Sequence, residues 1–334
     1  MLKNIPLLTV FIATYNRAGY LPAAIEAVLN QTYKNFKLIV LDNASTDNTS
    51  DIVKKYTDPR LSYIRNSENI GGVGNGNKAI DMADTKYFII LHDDDYAAPD
   101  MLEKEIAVLE ADPEIVMVSC NMFLVKNDRI ICKSFNLQKD LIFFKGDYLK
   151  DIAKTYNKIS CPTVMFRTDF IQEKKLYVEL SIGPAADIYL WININLYDKK
   201  IYVISEPLYY YRIHEYQDSN LNFFDMHTRL YDALLPLYKE NGYREYCSNL
   251  ADNFYGKVKL SLLLLLAKQS ITYQDYLSKI SLLDSRIKNA RKKINIILLD
   301  SIVFISRDLY ILLYKIYARL KSVIRKVKGM ENAE

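Results

Sequence analysis

The 334-residue chain is half hydrophobic and one-quarter charged, a balance that excludes disordered and fibrous classes and leaves room for one large domain or two ordinary ones. Its formal net charge of +4 is too small to name a nucleic-acid partner, and none is expected. The four cysteines, Cys120, Cys132, Cys161 and Cys247, are scattered without a C-x-x-C pair, which argues against a zinc site or disulfide framework and suits a reducing, cytoplasmic compartment.

Met1 to Pro6 run almost directly into a strand-like segment, with no basic n-region and separate apolar stretch of the kind that makes a secretory signal. Short β-branched and aromatic runs then alternate with helical patterns. Leu7–Thr14, Lys37–Asp42, Leu61–Asn66, Tyr87–Asp93 and Val116–Val125 read as strands. Leu21, Ala24, Ile25, Val28 and Leu29 recur at helical spacing after the first strand. A second helix follows the capping residues Ser45–Asp47, a third is predicted from about Asn77 to Ala83, and a fourth from Pro99 through Leu109. This alternation predicts an α/β fold with a mostly parallel sheet covered on both faces. Ligands of such sheets bind beyond the carboxyl ends of the strands. From about Phe224 the pattern turns to long helical periodicity, so the expected division is a 1–223 catalytic domain and a 224–334 helical region. The longest continuous apolar run, Leu262 to Ala267, is too short to span a bilayer.

The unusual polar residues fall at strand ends. The first strand leaves through Ala13-Thr14-Tyr15-Asn16-Arg17, a hydroxyl, a flat ring and an amide beside a helix start, readable as an anion site or as a cap and turn. The second leaves through Asp42-Asn43-Ala44-Ser45-Thr46-Asp47, where Asp42 suits a base N–H or ribose hydroxyl and Asp47 suits a helix cap. Asn69 to Asn77 holds Gly71, Gly72, Gly74 and Gly76 and allows a backbone to approach a ligand closely, yet it matches neither a dinucleotide fingerprint nor a P-loop. The sharpest feature is His92-Asp93-Asp94-Asp95 at the end of an apolar run. Adjacent carboxylates repel unless a cation relieves them, and a hard divalent ion would do so while bridging to phosphates. Asp187, before the apolar helical face of Ile188-Tyr189-Leu190-Trp191, reads equally as a general base or a helix cap. Alternation in Tyr211-Arg212-Ile213-His214 puts the arginine and the histidine on one face of an extended segment, suited to a diphosphate and to a metal.

In this order and at these spacings the segments resemble family 2 glycosyltransferases of the GT-A fold, from about Leu7 to Asn220. The resemblance implies a nucleotide-sugar donor, UDP-linked, contacted by Thr14, Tyr15, Asn16, Asp42, Asn69, Gly71, Asn77 and Asp93. It implies Mn²⁺ or Mg²⁺ on Asp94, Asp95 and His214, with Asp94 preferred, and Arg212 and Trp191 toward the diphosphate or acceptor. It also implies that Asp187 deprotonates an acceptor hydroxyl, which displaces the nucleotide with inversion. Two departures stand out: the family's Glu-Asp pair is here Ala186-Asp187, and its Asp-x-Asp-Asp is here His92-Asp93-Asp94-Asp95. The expected role is transfer to a glycan or lipid-linked oligosaccharide in bacterial surface polysaccharide synthesis. The alternative is a non-catalytic nucleotide- or glycan-binding protein, for which Asp187 and Asp94 would be dispensable. A nicotinamide-dependent dehydrogenase is disfavoured by the missing glycine fingerprint.

Near the C-terminus an apolar stripe from Ile294 to Val327 carries Lys315, Arg319, Lys321, Arg325, Lys326 and Lys328, with Tyr310, Tyr314 and Tyr317 beside them. A basic amphipathic helix of this kind is expected either at the inner face of the cell membrane or packed on protein, a second subunit included.

Overall fold

A computed structural model describes residues 6–155, 157–214, 223–267 and 271–287. The chain divides into two compact units, Met1–Asn222 and Phe223–Glu334.

The first unit is an α/β layer structure. Its elements are β1 (Leu8–Thr14), α1 (Leu21–Leu29), β2 (Phe36–Asp42), α2 (Thr49–Val53), β3 (Leu61–Arg65), α3 (Gly71–Met82), β4 (Tyr87–His92), β5 (Tyr96–Ala97) and α4 (Met101–Ala111). These are followed by β6 (Ile115–Lys126), β7 (Arg129–Lys133), β8 (Leu141–Phe143), α5 (Asp147–Thr155), β9 (Val164–Arg167), α6 (Thr168–Glu173), α7 (Ala186–Asn195) and β10 (Lys200–Arg212). The sheet runs β3-β2-β1-β4-β9-β6-β10-β5, with β7 on β6 and β8 on β10.

β1, β2, β3 and β4 pair in parallel. β9 is antiparallel to both β4 and β6, and β10 is parallel to β6. Two reversals cancel, so β1, β2, β4, β6 and β10 all end at the same edge of the sheet. That edge receives Thr14, Asp42, His92 and Arg212.

The central strands are apolar on both faces, as a sheet sandwiched between helices requires. Leu8, Val10 and Ile12 of β1 join Leu21, Ile25 and Val28 of α1 and Met101, Leu102 and Ile106 of α4 in one core. Phe11, the alternate residue of β1, is equally buried but lies outside that cluster, and α3 contacts both β1 and β4. Burial of each such side chain stabilises the fold by about 1.5–3 kcal/mol.

One expectation is corrected. The glycine run was predicted as a loop before a helix near Asn77, but α3 begins at Gly71 and contains all four glycines. The chain enters it through Gly71 at φ +76°, a conformation that a side chain would strain.

The second unit contains α8 (Phe223–Glu240), α9 (Cys247–Ala267) and α10 (Tyr273–Arg286). Leu230, Leu234, Phe254, Val258 and Leu283 are buried within it. Thr272 caps α10 reciprocally with Asp275. No described helix is long and apolar enough to cross a membrane. The basic stripe from Ile294 to Lys328 lies outside the described residues.

Candidate active site

At the shared sheet edge, Asn16 takes a positive φ of 52° and turns its amide back. Its Oδ1 accepts from the Thr46 backbone N–H at 2.7 Å, and its own N–H donates to Ser45 Oγ at 2.9 Å. Asn16 therefore ties the β1 exit to the β2 exit. Asp47 completes the tie, accepting from the Ala18 N–H at 3.1 Å and from Thr49 at 2.6 Å. Desolvation opposes ionisation of Asp47, but these donors outweigh it and lower its carboxyl. Tyr15 beside them is 42% exposed, a ring free to stack on a flat ligand.

Asp42 is buried at the end of β2. It accepts from the Ser45 N–H at 2.9 Å and from the Tyr63 hydroxyl, with Arg65 Nε 3.7 Å away. Behind it lies an amide network that links three elements. Asn43 donates to Asn69 Oδ1 at 2.7 Å, and Asn66 donates to Asn43 Oδ1 at 3.0 Å and to Asn75 Oδ1 at 2.9 Å. Asn75 donates to the Leu41 carbonyl at 3.0 Å. Two of the expected nucleotide contacts, Asn69 and Asn77, also hold protein partners. Asn69 Oδ1 also accepts from the Gly71 N–H, and both ends of the Asn77 amide bond the backbone of Val178, at 2.9 and 2.8 Å. Both polar ends of the Asn77 amide are thus satisfied inside the protein, whereas the exposed Asn69 commits its Oδ1.

The acidic turn after β4 is buried throughout, with Asp93, Asp94 and Asp95 each under a tenth exposed. The structure resolves their mutual repulsion by treating them differently. Burial raises Asp94, but His92, His214 and Arg17 together outweigh it and hold its carboxyl below the ordinary range. Its Oδ2 lies 2.8 Å from Arg17 Nη1 and 2.9 Å from His214 Nε2. Burial pushes Asp93 up to about 6, the charge of Asp94 adds to this, and Thr14, Arg17 and His92 oppose it. Burial also raises Asp95, whose Oδ1 accepts from the Arg212 backbone N–H at 2.7 Å. Thr14 itself is buried at the end of β1.

Arg212 and His214 share one side of their segment, as alternation predicts, and both reach Asp94. The Arg212 Nε donates to the Asp94 carbonyl, and its guanidinium lies 5.1 Å from the Tyr20 ring centre and 5.6 Å from that of Tyr96. The His214 imidazole stacks on Tyr20 at 5.3 Å.

His92, Asp94 and Asp95 offer ligand atoms that all lie within 4.8 Å of one another. Asp95 Oδ2 is buried without a hydrogen bond, its near neighbour being His92 Nδ1 at 3.6 Å, and a cation between them would satisfy it. Carboxylate oxygens with imidazole nitrogens suit Mn²⁺, and the carboxylates alone suit Mg²⁺. The residues therefore fit a divalent ion, with His92 added to the predicted Asp94, Asp95 and His214. Arg17 is the residue that sequence reasoning passed over; its signal was a cation placed just past the first strand.

Asp187 occupies the first turn of α7. Burial pushes its carboxyl up to about 6, against hydrogen bonding from the Ile188 backbone and the nearby charge of His92. Trp191, expected toward the diphosphate or acceptor, lies one turn later on the same helix. It is 2% exposed and tilted against Phe166 of β9 at 5.5 Å.

Comparison with known proteins fits this geometry. The family model for glycosyl transferase family 2 matches residues 9–172. An uncharacterized glycosyltransferase, MJ1057 of Methanocaldococcus jannaschii, is 34% identical over 215 residues, covering 62% of this chain and 71% of that protein. The Escherichia coli UDP-Glc:alpha-D-GlcNAc-diphosphoundecaprenol beta-1,3-glucosyltransferase WfaP is 31% identical over 209 residues, 62% of this chain and 78% of its own. Among solved structures, Staphylococcus aureus TarS 1-349 with UDP-GlcNAc superposes with a TM-score of 0.64 at 16% identity, covering 84% and 81% of the two chains. The mannosyltransferase PcManGT of Pyrobaculum calidifontis, with GDP-Man and Mn²⁺, gives 0.55 at 17%, covering 85% of each. At such identities the structural likeness establishes the GT-A fold.

Proposed function

Because the chain belongs to glycosyl transferase family 2 and is a glycosyltransferase, we propose that it moves a sugar from a UDP-sugar to a hydroxyl of a lipid-linked glycan, with inversion. The observation that carries this reading is the meeting of the Asp93–Asp95 turn and the Arg212–His214 segment at one sheet edge, with Asp187 within electrostatic reach of His92. The named donor and acceptor of the Escherichia coli relative, a UDP-glucose and a diphosphoundecaprenol-linked sugar, support the substrate classes. The setting is surface polysaccharide synthesis on the cytoplasmic side of the membrane.

Tyr15 stacks on the base, while buried Asp42, oriented by Tyr63 and Ser45, accepts from base or ribose. Asp93 borders the ribose and diphosphate. Asp94 and Asp95, with His92 and His214, would hold Mn²⁺ or Mg²⁺, which supplies Lewis-acid neutralisation of charge on the departing diphosphate. Arg212 and Arg17 add fixed positive charge on the same side. Asp187, with its carboxyl raised to about 6, is ionised at neutral pH yet basic enough to take the acceptor proton. The hydroxyl oxygen then forms the new bond to the anomeric carbon as the bond to the diphosphate breaks, and the proton stays on Asp187.

The test is nucleoside-diphosphate release from a panel of nucleotide-sugars with Mn²⁺, run beside Asp94→Ala. Release from one donor, lost in the variant, supports the reading and names the donor. Turnover that persists at the same rate in both Asp94→Ala and Asp187→Asn would sink it.

A further inference from the structure

β6 and β7 form a hairpin whose two-residue turn, Asn127-Asp128, has φ of 50° and 58° at its centre, the primed geometry that keeps a tight ribbon twisted. Lys126 pairs with Arg129, and Val125 pairs with Ile130. Every residue from Lys126 to Ile131 is exposed. Ile130 is 55% exposed and Ile131 is 51% exposed. The pairing shifts register between Leu124 and Val125, so Ile131 is an extra, unpaired residue beside Ile130, and the exposure of the whole stretch makes it a tip that projects from the unit. Ordinary edge strands are protected by charge or brevity, whereas two adjacent isoleucines on a projecting tip are an attachment point.

The charges around them indicate what is attached. Lys126, Arg129 and Lys133 flank the isoleucines and are exposed, with no ion pair among the described residues, against the single acid Asp128. An apolar tip ringed by cations complements a surface of anionic headgroups over hydrocarbon.

Position ties this tip to the chemistry. Val125 pairs with Ile130 on one side and Arg212 on the other, and its carbonyl accepts from the Ile213 N–H at 2.7 Å. The hairpin thus grows from the strand end beside Arg212 and His214. Asp128 lies within electrostatic reach of Tyr96, the ring that faces Arg212.

We propose that the 126–133 hairpin docks the catalytic unit on an anionic membrane, with Ile130 and Ile131 entering the headgroup layer and Lys126, Arg129 and Lys133 contacting lipid phosphates. Docked this way, the active edge of the sheet lies at the level where a lipid-linked sugar is presented. That purpose rests on the acceptor class proposed above; the docking itself does not.

The experiment is co-sedimentation of the full-length protein with vesicles of phosphatidylglycerol and phosphatidylethanolamine, against pure phosphatidylcholine. Wild type is compared with Ile130→Ser/Ile131→Ser and with Arg129→Glu/Lys133→Glu. Each variant is expected to lower partition onto the anionic vesicles about tenfold, with an unchanged thermal midpoint and unchanged nucleotide release from a soluble donor. Partition equal to wild type in both variants would overturn the proposal, because any binding would then arise elsewhere, the basic C-terminal stripe included. So would absence of wild-type binding, or self-association of wild type that the isoleucine variant abolishes, which would make the tip a contact between copies. Vesicle binding is read without turnover, so failure of the transferase assay and failure of docking are separate results.

Discussion

Arg17 Nη1 sits 2.8 Å from Asp94 Oδ2, across 77 residues of chain, and so places a guanidinium against a carboxylate of the candidate metal cluster. Both side chains are largely buried, at 22% and 11% exposed, so the pair is screened less than a surface one. A divalent ion at Asp94 must therefore compete with an internal cation.

Replacement of Arg17 by methionine removes that competitor. Mn²⁺ binding measured by calorimetry is expected to tighten several-fold, while turnover falls because positive charge beside the diphosphate is lost. Weaker metal binding in Arg17→Met would show instead that the arginine holds Asp94 in its ligating position.

Asp187→Asn is expected to lower kcat by about 10²–10⁴-fold, with donor affinity unchanged. With its carboxyl raised to about 6, the wild-type rate should climb with pH through about 6 and level off above it, since the base works only when deprotonated. A flat profile from pH 5 to 8 would remove Asp187 from that role. The same shift has a sign for stability. A folded-state value above the unfolded one favours the fold below the ordinary carboxyl range and loses that contribution as pH rises through about 6. The asparagine variant should therefore be slightly more stable than wild type at neutral pH.

The three acidic residues should separate in experiment. Asp94→Ala is expected to abolish metal-dependent nucleotide binding while the protein stays folded. Asp95→Ala removes a fully buried carboxylate that accepts from the Arg212 N–H and should cost about 1–3 kcal/mol of stability. Thermal melts with and without Mn²⁺ distinguish the two, and an equal loss of stability in both would contradict the division.

Far from the cleft, Glu105 of α4 is fully buried, and burial pushes its carboxyl well above the usual range, with Cys120 as its polar neighbour. Such a group favours the fold at low pH and loses that contribution as pH rises, because ionising it in the core is costly. Glu105→Met should stabilise by about 1–3 kcal/mol at pH 8 and by less at pH 5. A melting temperature that falls at pH 8 would indicate an unrecognised partner for the carboxyl.

What the sequence disclosed was whatever depends on local period and strand-end chemistry. β1, β2, β4 and β6 were legible from apolar runs, and Thr14, Asp42, the acidic triplet and Arg212 from their places after such runs. The start of α3 was not, because glycine is a poor helix former and four of them in six residues read as a turn. The antiparallel insertion of β9, which brings β6 and β10 into line with β4, leaves no local trace, since its partners are distant in sequence. For the same reason Asn77 reads as a ligand contact: an amide with a partner 101 residues away looks, in sequence, like one waiting for a ligand. Trp191 is 2% exposed, and an aromatic after a strand-end or helix-start carboxylate reads alike in sequence whether it faces the cleft or the core.

The double hydrogen bond between the Asn77 side chain and the Val178 backbone joins α3 to the segment that leads through Gly183 into α7. On the function proposed above, a donor that moves α3 would, through that clamp, move the chain that carries Asp187. Donor arrival and alignment of the carboxylate are then one mechanical event, and steady-state kinetics should obey an ordered sequential scheme in which the acceptor enters second. Release of the clamp in Asn77→Ala should turn that compulsory order into a random one.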